Sequence, residues 1–160
     1  MNNNELKTIT ENLIDTFNKA GKESIELYDK GLKIEIKKDN SPVTNGDLRA
    51  NELITKKILE LTPNIPIISE ETVDLNIKNK SKIFWLIDPI DGTKEYIAGN
   101  DEYTLNAALV INTIPVIGLV GAPKKDRLFF SYGPGESYLI ENNKIIKINC
   151  SKKQPKDKIV

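Results

Sequence analysis

Leu6, Ile9, Leu13, Phe17, Ala20 and Ser24 fall close to one face of a 3.6-residue period with charges opposite, which predicts a helix from Leu6 to Tyr28. Gly31 breaks that period, and Leu32-Lys33-Ile34-Glu35-Ile36 alternates as a strand does. Residues 37–44 are polar, contain Pro42 and read as a loop. A second helix is expected from about Asn45–Asp47 to Leu61, carrying Leu48, Leu53, Ile54, Ile58 and Leu61 and stopped by Pro63. Ile65-Pro66-Ile67-Ile68 predicts a short strand that delivers Ser69-Glu70-Glu71 at its end. Residues 72–82 form a polar connection, and Ile83-Phe84-Trp85-Leu86-Ile87 reads as a buried strand, being short, apolar and rich in β-branched and aromatic residues.

From Glu102 onward the chain is strand-like, at roughly 103–111, 115–122, 127–132, 136–141 and 145–148. Turn signals separate these runs at Asn112-Thr113, Lys124-Lys125-Asp126, Gly133-Pro134-Gly135 and Asn142-Asn143. Helices first and an antiparallel meander later predict an α+β layered domain. Ser151 to Lys156 resembles a linker, and Asp157 to Val160 reads as the start of another strand.

Composition narrows the chemistry. The 160 residues make one domain, or a large part of a bigger one, and suffice to bury a core. Lys plus Arg and Asp plus Glu balance at 23 each, so no global field favours nucleic acid or an anionic membrane. The single cysteine, Cys150, rules out an internal disulfide framework and fits a reducing compartment. With no histidine, a zinc site and an imidazole-dependent triad are both disfavoured, leaving carboxylates, hydroxyls and lysines for any catalysis. The most apolar stretch, Leu105 to Pro123, is interrupted by Asn106, Asn112, Thr113 and Pro115, so two buried strands explain it better than a membrane span. The first residues, Met1-Asn2-Asn3-Asn4-Glu5, lack the basic and apolar regions of a signal peptide, and the expectation is a cytosolic soluble protein.

The most informative residues are Asp88-Pro89-Ile90-Asp91-Gly92-Thr93. Two carboxylates three residues apart stand where a strand is expected to end in a Pro/Gly turn, so both acids can converge on one point. Hard divalent cations such as Mg²⁺ favour that oxygen-rich arrangement, with phosphate completing the shell, and Thr93 adds a hydroxyl able to orient a water. Glu70-Glu71 ends another strand, and Asp47 opens a helix after Ser41-Pro42-Val43-Thr44. Alone, Asp47 is a helix N-terminal residue favoured by the macrodipole and Glu70-Glu71 a solvated pair, whereas for Asp88 to Thr93 a solvated turn is the lesser reading. Their joint occurrence is what points to a site.

Lys38-Asp39-Asn40-Ser41-Pro42-Val43-Thr44, Asp47, Ser69-Glu70-Glu71 and Trp85 to Thr93 together resemble the signatures of the inositol monophosphatase superfamily. The continuation Lys94-Glu95-Tyr96-Ile97 is similar to that of 3′(2′),5′-bisphosphate nucleotidases of the CysQ type. The resemblance implies a layered α/β sandwich of the sugar-phosphatase type, with two N-terminal helices packed on a largely antiparallel sheet. It implies lithium-sensitive phosphatase activity with two or three Mg²⁺ per complete site. By position, Glu70, Asp88, the Ile90 main-chain carbonyl and Asp91 would be metal ligands, with Asp88 bridging. Glu70, Ile90, Asp91, Gly92 and Thr93 would meet the substrate phosphate, while Asp47, Glu70 and Thr93 would serve catalysis by activating the attacking water. Glu71 is left with a supporting role; Lys37 and Lys38 could screen substrate phosphates, with a mobile solvated loop as the default reading.

The resemblance further implies that residues 1–150 form an N-terminal metal-binding domain and that 151–160 begin the connection to a second αβ half. That half would supply a further metal-binding aspartate within a Trp-Asp-x-Ala-Ala motif, which these residues do not contain. The expectation is therefore an enzyme hydrolysing the 3′-phosphate of adenosine 3′,5′-bisphosphate, weakly active or inactive as these 160 residues alone. Inositol or sugar monophosphatase activity is the alternative within the enzyme class. A non-catalytic remnant that binds metal or a partner is the alternative outside it. The expected partner is a small phosphomonoester, with self-association possible through an uncovered apolar face; attachment to the cytoplasmic membrane face rests on the resemblance alone.

Overall fold

The computed structural model describes residues 1–72 and 81–150. Helix α1 spans Asn3–Lys30, starts in a capping box between Asn2 and Glu5, and stops at Gly31, whose φ of 94° suits a residue without a Cβ. Its buried face holds Leu6, Ile9, Leu13, Phe17, Ala20 and Ser24, the stripe named by the sequence period. Strands β1 (Ile34–Ile36) and β2 (Pro42–Thr44) pair antiparallel as a small hairpin. Residues 37–44 are thus not all loop: Lys37 N donates to Ser41 O at 2.8 Å, and Asn40 turns the chain at a φ of 66°. Backbone pairing makes a strand here where no apolar alternation announces one.

Helix α2 spans Asn45–Leu61 and buries Ala50, Ile54 and Ile58. Leu48, expected on that face, is 49% exposed. The six-residue step from it to Ile54 rotates it about 120° off the buried stripe at roughly 100° per residue.

The main sheet has seven strands in the order β3 (Ile67–Ser69), β4 (Ile83–Asp91), β5 (Thr104–Ile111), β6 (Ile114–Ala122), β7 (Arg127–Ser131), β8 (Ser137–Glu141) and β9 (Lys144–Lys147). Only β3 and β4 run parallel; every later neighbour is antiparallel, so the sheet is the expected meander. The β5–β6 and β8–β9 hairpins turn on Asn112-Thr113 and Asn142-Asn143, with positive φ at all four residues. Helices α1 and α2 cover one face of the sheet, meeting Trp85, Ile87, Leu105, Leu109, Ile117, Leu119, Leu128 and Phe130. The opposite face leaves Leu86 50%, Val120 40% and Phe129 36% exposed, with Val120 and Phe129 directly opposite each other in register.

Two departures from the sequence pattern shape the site. Strand β4 does not end at Ile87 but continues to Asp91. Its register with β5 holds to Asp88 opposite Asn106 and resumes one residue shifted at Asp91 opposite Thr104. Pro89 has no N–H for the ladder, so the chain bulges at Pro89 and Ile90 instead of stopping. A short helix, α3 (Thr93–Ala98), follows immediately. It escapes the sequence pattern because six residues are too few to show a helical period. Most of the polar connection read at residues 72–82, and the linker and further strand read at 151–160, lie outside the described residues. Among the described residues no helix is long and apolar enough to cross a membrane.

Fully buried Ile54 sits where α2 meets the sheet, whereas Leu48 is half exposed on the same helix. Ile54→Ala is expected to lower unfolding free energy by about 2–5 kcal/mol and Leu48→Ala by less than about 1 kcal/mol, read by urea denaturation. Equal losses would contradict the packing described.

Candidate active site

The chain brings its acids together through three junctions. Thr44 caps α2: its Oγ1 accepts from Gly46 N at 3.0 Å, while its own N–H and hydroxyl donate to Asp47 Oδ2 at 2.8 and 2.6 Å. Asp47 is therefore immobilised, and at 1% exposure it is among the most buried polar residues. Its other oxygen, Oδ1, lies 3.1 Å from the Thr93 hydroxyl, which also stands 3.2 Å from the Ile90 carbonyl. A pair 46 residues apart in sequence thus joins the start of α2 to the start of α3.

Gly92 makes the turn between β4 and α3 at a φ of 91°, and a Cβ there would meet the Glu102 carbonyl at 2.9 Å. Both facts demand glycine, and both follow from the sharp entry into α3 beside β5.

At the end of β3, Glu70 N donates to the Ile87 carbonyl at 3.1 Å, setting Glu70 beside β4. Ser69 Oγ donates to Asn51 Oδ1 at 2.7 Å, so the strand end is also pinned to α2. Glu71, not Glu70, points inward: its side chain is 5% exposed and bound by Lys37 Nζ at 2.8 Å, with Glu70 Oε1 at 3.4 Å from the same ammonium. Burial pushes the Glu71 carboxyl above its usual range, against the opposing pull of Lys37. Burial works to lower the Lys37 pKa, yet the hydrogen bonds and attraction of Glu71 and Glu70 outweigh it and leave it raised. Lys37 is therefore a largely buried partner of Glu71 and not part of a mobile solvated loop. Sequence alone hides this, since the partner lies 34 residues away.

Asp88 stands at the centre. Its Oδ1 is buried with no hydrogen-bond partner among the described residues. Burial first, then the nearby carboxylates of Glu70, Asp91 and Asp47 and a hydrogen bond with Glu70, push its pKa up to about 7. A carboxyl so placed has lost water and gained like charges, which is the local deficit a cation corrects. The available donors are carboxylate oxygens and a main-chain carbonyl, with no sulfur or imidazole nearby, and that set suits a hard divalent ion such as Mg²⁺. Among the described residues no three acidic side chains are already gathered tightly enough to close on an ion. The donors stand open around Asp88, with Glu70 shared between Asp88 and Lys37.

The structure thus places Asp47, Glu70, Asp88, Ile90, Asp91, Gly92 and Thr93 along one rim formed by the ends of β3 and β4 and the starts of α2 and α3. Thr44, Lys37 and the Ser69–Asn51 pair belong to the same rim and were not singled out as site-building residues by the sequence. For Thr44 a local signal exists, a Thr three residues before an Asp at a helix start.

The chain is 32% identical over 133 residues to the 3′(2′),5′-bisphosphate nucleotidase CysQ of Haemophilus influenzae, covering 80% of this chain and 49% of that protein. The crystal structure of CysQ from Bacteroides thetaiotaomicron superposes with a TM-score of 0.66 at 38% identity, covering 81% of this chain and 48% of that one. A crystal structure of an inositol monophosphatase/NADP phosphatase complexed with Mg²⁺ and phosphate matches the fold with a TM-score of 0.70 at 21% identity, covering 84% of this chain and 51% of that one. The chain spans about half the length of the curated relatives it matches. Residues 5–160 match the profile described as the inositol monophosphatase family. On these grounds the chain belongs to the inositol monophosphatase family.

Proposed function

We propose that these residues form the metal- and phosphate-binding part of a phosphomonoesterase that removes the 3′-phosphate of adenosine 3′,5′-bisphosphate. The observation that carries the reading is the buried, unpartnered Asp88 oxygen set among Glu70 and Asp91, beside the fixed Asp47–Thr93 pair. The choice of substrate is supported by likeness to the CysQ nucleotidases and by Lys94-Glu95-Tyr96-Ile97.

In this reading Glu70, Asp88, the Ile90 carbonyl and Asp91 hold Mg²⁺. Bound there, the ion supplies a lowered water pKa and neutralisation of phosphoryl charge. Glu70, Asp91, Gly92 and Thr93 orient the phosphoryl group at the bulge, where main-chain N–H groups at the start of α3 lack intrahelical acceptors. Thr93, held by Asp47, presents its oxygen lone pairs to the attacking water and directs that water's proton toward Asp47 and Glu70. The new bond joins water oxygen to phosphorus, the ester bond to the 3′-oxygen breaks, and the leaving oxygen takes a proton. Lys37 neutralises Glu71 and so keeps one carboxylate of the rim out of the ligand set.

Because the chain spans about half the length of its relatives, the 160 residues alone are proposed to turn over slowly, lacking further ligands and most of a nucleoside pocket. Phosphate release from adenosine 3′,5′-bisphosphate is expected to be slow, Mg²⁺-dependent and abolished by Asp88→Asn. Robust turnover at physiological Mg²⁺ would contradict the impairment, and faster release from inositol monophosphate would reverse the substrate assignment. In the same assay Thr93→Val is expected to lower kcat by about 10²–10⁴-fold with KM little changed, the size of a lost proton-handling group. A rise in KM at constant kcat would instead assign Thr93 to binding alone.

A further inference from the structure

Tyr96 is fully buried and takes no part in the chemistry described, yet it belongs to α3 and meets both α1 and the first turn of α2. It lies three residues beyond Thr93 in α3, and its hydroxyl donates to the Ser24 carbonyl of α1 at 2.6 Å. The same hydroxyl presses on the first turn of α2: a Cβ at Gly46 would lie 2.5 Å from Tyr96 Oη and 2.7 Å from Cε1. Gly46 immediately precedes Asp47, so the ring fits only because that position has no side chain. Tyr103 packs against Tyr96 with ring centroids 4.8 Å apart, and its hydroxyl lies 2.9 Å from Ser24 Oγ. Tyr28 closes the far end of α3, since a Cβ at Gly99 would run into its hydroxyl.

We propose that Tyr96 is a positioning residue for the phosphatase site: its hydroxyl-tipped ring fixes the start of α2 against α3 and thereby sets the distance from Asp47 to Thr93. The inference rests on the proposed phosphatase reading for its consequence in catalysis, but the geometry stands on its own contacts. A six-residue helix has little stability of its own, so α3 keeps its place by being gripped. The tether to the Ser24 carbonyl and the contact at Gly46 both engage the hydroxyl end of Tyr96, so α1 and the first turn of α2 hold α3 at that tip. The hydroxyl is the part that does this, because phenylalanine would fill almost the same volume while losing the hydrogen bond.

The test compares amide hydrogen exchange in the unsubstituted chain, Tyr96→Phe and Gly46→Ala. Both substitutions are expected to speed exchange about five- to tenfold at residues 44–47 and at the hydrogen-bonded amides of Tyr96, Gly99 and Asn100, as loss of one buried hydrogen bond or one close fit should, with β5 to β7 unchanged. Gly46→Ala is the sharper arm, since alanine ordinarily favours a helix over glycine and protection should otherwise rise. Unchanged exchange at 44–47 in both variants, or a uniform rise across the sheet, would overturn the proposal, the second result marking Tyr96 as a core residue only. A parallel phosphate-release assay separates this from the functional reading. Tyr96→Phe should lower kcat with KM within about twofold if Thr93 acts in the transition state. Mg²⁺-dependent release that Asp88→Asn leaves intact would defeat the phosphatase reading, while the exchange result still decides the role of Tyr96.

Discussion

Burying a carboxylate oxygen without a partner is costly, and among the described residues no hydrogen bond meets that cost at Asp88 Oδ1. Lys37 is spent on Glu71 and Glu70, and Arg49 on Glu23 and Glu52, so neither supplies a counter-charge to Asp88. Glu70, Asp91 and Asp47 add repulsion. The sign of the resulting pH dependence follows. Asp88 titrates higher in the folded chain, about 7, than its ordinary value of 3.8, so its contribution is favourable at acid pH and is lost as pH rises through about 7. A divalent cation bound there would reverse that loss by favouring the charged form.

The rest of the fold serves to hold this deficit in place. The β4 bulge carries Asp88 and Asp91 past a proline that cannot join the ladder, and Gly92 then turns the chain into α3. The parallel β3–β4 pair sets Glu70 beside Ile87, while the Thr44 cap freezes Asp47. Helices α1 and α2 are anchored on one face of the sheet by Leu13, Phe17, Ile54 and Ile58, so the rim is built on packed elements and not on loops. Electrostatic strain at the rim is offset by apolar burial beneath it.

Much of this was legible from the residues. The buried stripe of α1 and the order and turns of the meander follow from periodicity and from Asn and Gly positions. Asp88 and Asp91 mark the candidate site because two acids around a Pro/Gly turn at a strand end can converge on one point. What escaped the sequence is what depends on distant contacts. Strand β2 (Pro42–Thr44) goes unannounced although alternation announces its partner β1, and the exposure of Leu48 depends on helical phase. Burial of Lys37 needs Glu71, and α3 needs Tyr28 and Tyr96 to hold it. The continuation of β4 through Asp91 was hidden by Pro89, which reads as a stop in sequence but is tolerated as a bulge in space.

The most direct measurement is thermal melting at pH 8 of the chain and of Asp88→Asn, each in chelator and in excess Mg²⁺. If a buried, uncompensated carboxylate awaits a cation, Asp88→Asn melts higher than the unsubstituted chain in chelator, and only the unsubstituted chain gains appreciably from Mg²⁺. A lower melting temperature for Asp88→Asn in chelator, together with equal gains from Mg²⁺ in both proteins, would contradict the account.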